Sequence, residues 1–224
     1  MHGDVAVSGP YHLIDGLSVR WQNLCASLQA DPAAASQVWW QLCERFCEPH
    51  RRYHDLSHVT ALLTQAERWH EQLHDAHVVH LAIWFHDAVY DPQRRDNEER
   101  SADMAACALL AMQVDETLIP SVTACIAATA GHRVTTDEVA DMPRFLDLDL
   151  AILGSDPADY ARYSAAIRAE YDWVEEAQYR AVRSKVLQCF LARPTLYFTE
   201  ALQQAYEARA RDNLRTELQA LSSP

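Results

Sequence analysis

His86 and Asp87 close a run of bulky apolar residues, Val78 to Phe85, that only His80 interrupts. Such a run is apolar on nearly every side and reads as an element buried in the middle of the protein. An imidazole and a carboxylate at its end are costly to bury without partners, and a divalent cation partners both. Alone, a His-Asp dipeptide is as easily an exposed helix end, because short motifs recur by chance. Two further stretches shift that balance. Upstream, Arg51-Arg52-Tyr53-His54-Asp55-Leu56-Ser57-His58-Val59 opens a helix on which His54 and His58, four apart, would project from one face. Downstream, Asp147 and Asp149 lie in the apolar run from Phe145 to Leu153. Two carboxylates two residues apart point in different directions on a helix, so at most one faces the core. His58, His86, Asp87 and one of these acids form a nitrogen and oxygen set suited to a divalent transition metal or Mn(II), with positions left open for water and substrate.

The elements that must position these residues read as helices throughout. Five Gly in 224 residues, with abundant Ala, Leu, Glu, Gln and Arg, argue against a turn-rich all-β fold and for an all-α one. After a disordered start, Leu13, Leu17, Trp21, Leu24 and Leu28 form one helical stripe. Asp31-Pro32 caps a second helix carrying Val38, Trp39, Leu42 and Phe46, which Pro49 ends. A third, with Val59, Leu62, Leu63, Ala66, Trp69 and Leu73, follows His58. Asp91-Pro92 breaks the chain after the central run. Asp96 to Glu99 reads as a capping box for a helix whose small-residue face is Ala102, Ala105, Ala106, Leu109 and Leu110. Asp115 to Ala130 forms another, stopped by Gly131, and Asp141-Met142-Pro143 starts one that ends at Gly154. From Asp156 onward the chain is helical over Tyr160 to Tyr171, Ala177 to Leu191 and Thr199 to Leu218. His70, His74, His77 and His80 lie among Glu71, Gln72 and Asp75 and read as a solvated connection. No repeat or linker divides the chain, so one domain over residues 1–224 is expected.

A formal net charge of -13 repels a nucleic-acid backbone, so no long nucleic acid is expected as a partner; a small phosphorylated ligand needs only a local basic patch. Cys25, Cys43, Cys47, Cys107, Cys125 and Cys189 contain no C-x-x-C pair and read as reduced residues, most of them in the core. The N-terminus carries Asp4 and no long apolar segment, so no signal peptide is read there. No run approaches a membrane span. The expectation is a soluble, cytoplasmic protein without a membrane partner.

The order of a lone His, a His-Asp pair and a distant Asp resembles the HD-domain superfamily of metal-dependent phosphohydrolases. That resemblance implies an HD-domain-like helical bundle, with a motif-bearing core over about residues 50–154 and C-terminal helices over 156–220 packed on it. Tyr53-His54-x-x-x-His58 resembles the Tyr-His-Asn-x-x-His segment of cyclic-nucleotide phosphodiesterases, in which the second His binds metal and the first protonates the leaving oxygen. His58 is thereby a ligand and His54 a general acid. Asp147-Leu148-Asp149 is similar to the Asp-x-Asp ending of some HD phosphohydrolases, whose second member is the ligand, and this selects Asp149. The set Arg-x-Tyr-His-x-x-x-His, Trp-Phe-His-Asp-x-Val-Tyr, Asn-Glu-x-x-Ser and Asp-x-Asp-Leu-x-Ile-Leu-Gly resembles a group of predicted bacterial HD-superfamily hydrolases of unassigned substrate, over roughly residues 50 to 200. The phosphodiesterases carry His-Asp-x-x-His-Pro-Gly where this chain has Ala88-Val89-Tyr90-Asp91 after His86-Asp87, which speaks against cyclic nucleotides. The segment Val89-Tyr90-Asp91-Pro92 is where substrate is expected.

By this resemblance the metal ligands are His58, His86, Asp87 and Asp149, holding one or two divalent ions per chain; Mn, Mg, Fe, Co, Ni and Zn are not distinguished. Asp87 could bridge to a second ion. Glu98 and His132 are candidates for that ion's shell or for orienting the attacking water. Arg51 and Arg52, then Arg94 or Arg95 and more weakly Lys185, are candidates to neutralise substrate phosphate. The expected function is a phosphatase or phosphodiesterase acting on a small phosphorylated metabolite or nucleotide through a metal-activated water. The alternatives are a non-catalytic metal- and nucleotide-binding sensor and a di-iron, oxygenase-type use of the same site. The sequence leaves the oligomeric state open, a homodimer included.

Overall fold

The apolar run becomes the helix around which the others pack. A computed structural model describes residues 10–222, with side chains described from Ile14 onward. The disordered start and the side chain of Leu13 therefore lie outside the described residues. The α-helices are α1 (Pro10–Ser27), α2 (Pro32–Phe46), α3 (Leu56–Arg68), α4 (Ala76–Phe85), α5 (Asn97–Ala111), α6 (Ile119–Ala128), α7 (Met142–Asp149), α8 (Pro157–Glu170), α9 (Glu176–Leu191) and α10 (Glu200–Ser222). Short 3-10 turns cover His70–Gln72, Glu116–Leu118 and Leu150–Gly154, and no strand is present among the described residues. The protein is all-α. Among the described residues no helix is long and apolar enough to cross a membrane.

In α4 every residue from Val78 to Phe85 except His80 is buried, as an all-round apolar helix requires. It packs against α3, α5, α6 and α7. Trp84 meets Trp21 of α1 and Trp39 of α2 edge-to-face at 5.4 and 5.9 Å, and the Trp21 indole N–H donates to the Ala35 carbonyl at 2.9 Å. Burying a side chain such as Phe85 contributes roughly 1.5–3 kcal/mol, so this cluster is a stiff support for whatever α4 carries at its end. The continuous apolar core runs from Leu17 of α1 to Leu214 of α10.

Several local expectations change. Helix α3 begins at Leu56, capped by Asp55, whose carboxylate accepts from Ser57 N–H at 2.7 Å. His54 thus precedes the helix, and it does not share a helical face with His58. Asp96 makes no capping hydrogen bond to α5, because its carboxylate is taken by the Arg94 guanidinium at 2.7 Å. On that helix Ala102, Ala105, Ala108 and Leu109 are buried, whereas Leu110 is exposed. Helix α6 stops at Ala128, and the left-handed residue of its terminal turn is His132 (φ 45°), not Gly131. The same backbone device closes α1 and α5 at Gln29 and Gln113, each with a bond from the following N–H to the carbonyl five residues back. Helix α7 tightens into a 3-10 turn at Leu150. Its end, Gly154, is a place of close approach: a Cβ there would lie 2.6 Å from the Cβ of Tyr206 on α10. Cys25, Cys43 and Cys125 are buried, but Cys47 just after α2, Cys107 on α5 and Cys189 on α9 are exposed, and all six are free.

Candidate metal centre

Three helix ends bring the cluster together. His58 lies in the first turn of α3, fixed by the Asp55 cap; His86 is the C-terminal cap residue of α4, with Asp87 next in the turn; Asp149 is the last residue of α7. The two imidazoles face each other with Nε2 atoms 3.1 Å apart, and both are shielded from solvent. Asp149 Oδ1 is 3.3 Å from His58 Nε2 and 3.6 Å from His86 Nε2. Asp87 Oδ2 is 3.0 Å from His86 Nε2 and 3.5 Å from His58 Nε2. One ligand atom from each of His58, His86 and Asp149 lies within 4.8 Å of the others, so this trio is a group that could hold a metal ion.

The donor set fits a cation. His86 Nδ1 is 2.9 Å from the Ile83 carbonyl, an oxygen that only accepts, so Nδ1 carries a proton and Nε2 is the nitrogen turned to the cluster. This is the tautomer-fixing bond that a ligating imidazole uses. His58 Nδ1 is buried without a partner. Burial by itself would keep His86 neutral and protonate the acids. The opposed charges win instead: Asp87 and Asp149 hold the His86 imidazolium form well above its ordinary range. His86 and His54 keep Asp87 below the carboxylate range, and hydrogen bonding from His132, His58 and His86 keeps Asp149 well below it.

The other acid of the pair, Asp147, points away. Its carboxylate accepts from Phe198 N–H at 2.7 Å and from Thr199 N–H and hydroxyl at 2.8 and 2.6 Å, binding the segment that starts α10. His132 comes to the cluster from beyond α6, with Nε2 2.8 Å from Asp149 Oδ2.

The residues before α3 form a shell around His54. Arg51 has a completely buried side chain. Its guanidinium donates to Glu48 at 3.1 Å and to the carbonyls of His54, Asp87 and Ala88 at 2.8, 2.7 and 3.3 Å, beneath the Tyr90 ring. Arg51, a candidate to neutralise substrate phosphate, clamps the His54 segment to the His86-Asp87 turn, with donors turned to carbonyls. Arg52 is exposed and lines a cleft of about 510 Å3 with His50, Tyr90, Arg100 and Trp173, which also takes in Val89 to Pro92. Arg94 is paired with Asp96. Glu98 and Arg95 line a separate surface cleft over α5 and α6, and Lys185 is exposed on α9. None of these four reaches the cluster by a hydrogen bond or ion pair.

Sequence reasoning missed Glu170, the last residue of α8. One oxygen accepts the N–H groups of Arg52, Tyr53 and His54 at 2.8, 2.8 and 3.0 Å; the other accepts from His54 Nδ1 at 2.7 Å and from the Tyr90 hydroxyl at 2.8 Å. Burial would raise its pKa, but the His54 bond and charge and the backbone N–H groups bring it down to about 2. In turn, burial that would lower the His54 pKa is overcome by Asp87 and Glu170, and the pKa is raised. No local signal marks Glu170, since it reads as one more charge at a helix end.

Comparison of the chain with protein-family models, with curated proteins and with solved structures finds no match.

Proposed function

We propose that the chain is a metal-dependent phosphohydrolase of the HD type that acts on a small phosphorylated metabolite or nucleotide. The observation that carries this reading is the buried convergence of His58, His86 and Asp149, with Asp87 on the same imidazoles and the Glu170-bound His54 beside them. His58, His86, Asp87 and Asp149 would hold the ion, which supplies Lewis acidity toward a phosphoryl oxygen and a lowered pKa for the attacking water.

Hydrolysis adds water across a phosphoester bond: the water oxygen bonds to phosphorus, the P–O ester bond breaks, and the leaving oxygen takes up a proton. His54 is the donor in this reading. Its Nδ1 is held by Glu170, which fixes the ring and favours the protonated form, so Nε2 carries the transferable proton. Arg51 holds the His54 and Asp87 carbonyls on one guanidinium and so sets the distance between acid and ligand. His132, bonded to Asp149, orients that carboxylate.

The test is metal analysis of the purified protein followed by a screen of phosphorylated metabolites with and without Mn(II). Bound divalent metal and hydrolysis lost in His86→Ala and Asp87→Ala are expected. Absence of metal binding at micromolar concentration refutes the reading. Stoichiometric iron with no phosphatase activity favours the di-iron alternative.

A further inference from the structure

The turn that joins α9 to α10 holds both acids of the Asp147-Leu148-Asp149 run, one directly and one through a neighbour. Directly, the N–H groups of Phe198 and Thr199 bond the Asp147 carboxylate. The indirect hold starts at Arg193, just past the Ala192 cap of α9. Its two terminal nitrogens donate to successive carbonyls, Gly131 at 2.9 Å and His132 at 3.1 Å. Its guanidinium lies 4.6 Å over the Phe190 ring, which meets the His132 ring edge-on at 6.2 Å. That same His132 ring reaches Asp149 Oδ2 at 2.8 Å.

The grip falls where the backbone needs one. His132 stands at φ 45°, a left-handed conformation that costs a residue with a Cβ. It lies past the end of α6, where the backbone bonds are long: His132 N–H to the Thr129 carbonyl at 3.3 Å and Arg133 N–H to the Ala128 carbonyl at 3.4 Å. Arg193 is itself anchored. Its carbonyl and that of Pro194 accept from the Arg211 guanidinium at 2.8 and 3.0 Å, and Glu207 fixes Arg211 at 2.7 Å. Support therefore passes from α10 through Arg193 to His132 and on to Asp149. Arg51 does the same on the other side of the cluster, where it closes on the carbonyls of His54 and Asp87.

We infer that Arg193 is a positioning residue of the metal centre: by clamping the His132 segment it fixes the imidazole that orients Asp149, and so raises the affinity for the ion. The inference rests on the metal reading of the His58–His86–Asp149 cluster and does not depend on which reaction runs there. With Oδ2 bonded to a held donor, Asp149 keeps Oδ1 turned to the two imidazoles. Outer partners of this kind change metal affinity although they never touch the ion. The sign of the effect separates a clamp from a field. Deleting a cation near a cation site would tighten binding by charge alone, whereas loosening His132 weakens it.

The experiment is calorimetric titration of Mn(II) into the full chain, first stripped of metal by a chelator, as wild type, Arg193→Ala, Arg193→Lys, His132→Asn and the double variant Arg193→Ala with His132→Asn. Asparagine tolerates the left-handed backbone and is shorter than the imidazole that reaches Asp149. Arg193→Ala and His132→Asn should each weaken Mn(II) binding roughly 10- to 100-fold. On the His132→Asn background, Arg193→Ala should change the affinity by no more than about 2-fold, because the clamp then has no imidazole to hold. Arg193→Lys keeps the charge but offers no planar fork to two carbonyls; it should also weaken Mn(II), and it decides should Arg193→Ala unfold. Unchanged or tighter binding in Arg193→Ala, or the same loss with and without the His132 ring, overturns the inference while leaving the metal centre standing. Absence of Mn(II) binding in wild type strikes the metal reading instead, and urea unfolding of the same chelated variants then decides the clamp. A double variant that loses less stability than the two single variants summed supports the clamp, and losses that add overturn it.

Discussion

Replacing Glu170 by Gln probes the element that sequence reasoning missed. The substitution keeps a carbonyl oxygen for the N–H groups of Arg52, Tyr53 and His54 and removes the charge that His54 and Tyr90 face. The Glu170 carboxyl is held at about 2 against an ordinary 4.5. At about 1.4 kcal/mol per pH unit, the ionised form therefore contributes about 3 kcal/mol to stability. Because the folded value is depressed, the unfolded chain binds the proton first as pH falls. The contribution is complete above about pH 4.5 and is lost as pH drops toward about 2. Urea unfolding followed by tryptophan fluorescence should show Glu170→Gln less stable than wild type by about 3 kcal/mol near neutral pH, or roughly 6–12 °C in melting temperature. By about pH 3 the gap should shrink to less than half, since both chains then carry a largely neutral side chain when unfolded. A gap that stays constant down to that pH, or that is below about 1 kcal/mol at neutral pH, refutes the charge-based account of Glu170.

If the buried cluster holds an ion, a chelator should lower the melting temperature of the native protein, by roughly 5–10 °C for an ion present at about 100 times its Kd. His86→Ala should melt at the same temperature with and without chelator. Asp147→Asn should cost about 1–3 kcal/mol in urea unfolding, because its amide NH2 would meet either the Phe198 or the Thr199 donors. Its metal stoichiometry should be unchanged, and loss of metal there would mean that the wrong acid is assigned. Gly154→Ala should cost about 1–3 kcal/mol through the clash with Tyr206; unaltered stability would show that the 3-10 turn and α10 can move apart.

Much of this architecture follows from the sequence alone, because helix periodicity and capping are local. Asp31 caps α2 through Ala34 N–H as its place before Pro32 implies, and the apolar run that only His80 interrupts reads as a buried central element, which it is, as helix α4. His86-Asp87 was legible for the same reason, as polar residues at the end of a segment with no solvated face. The direction in which a side chain leaves its helix was not. Asp147 and Asp149 are equivalent in composition and neighbours in sequence, and only the packing of α10 against the 3-10 turn claims Asp147 for a cap and leaves Asp149 to the imidazoles. Arg51 reads as a surface cation until the turn after α4 closes over it and offers two carbonyls beside that of His54. Glu170 lies 116 positions from His54, and nothing near it in sequence announces that three backbone N–H groups will point at one of its oxygens. Local periodicity decides which segments are helices; which charges are buried together is decided by how those helices cross, since desolvation and pairing depend on distance in space.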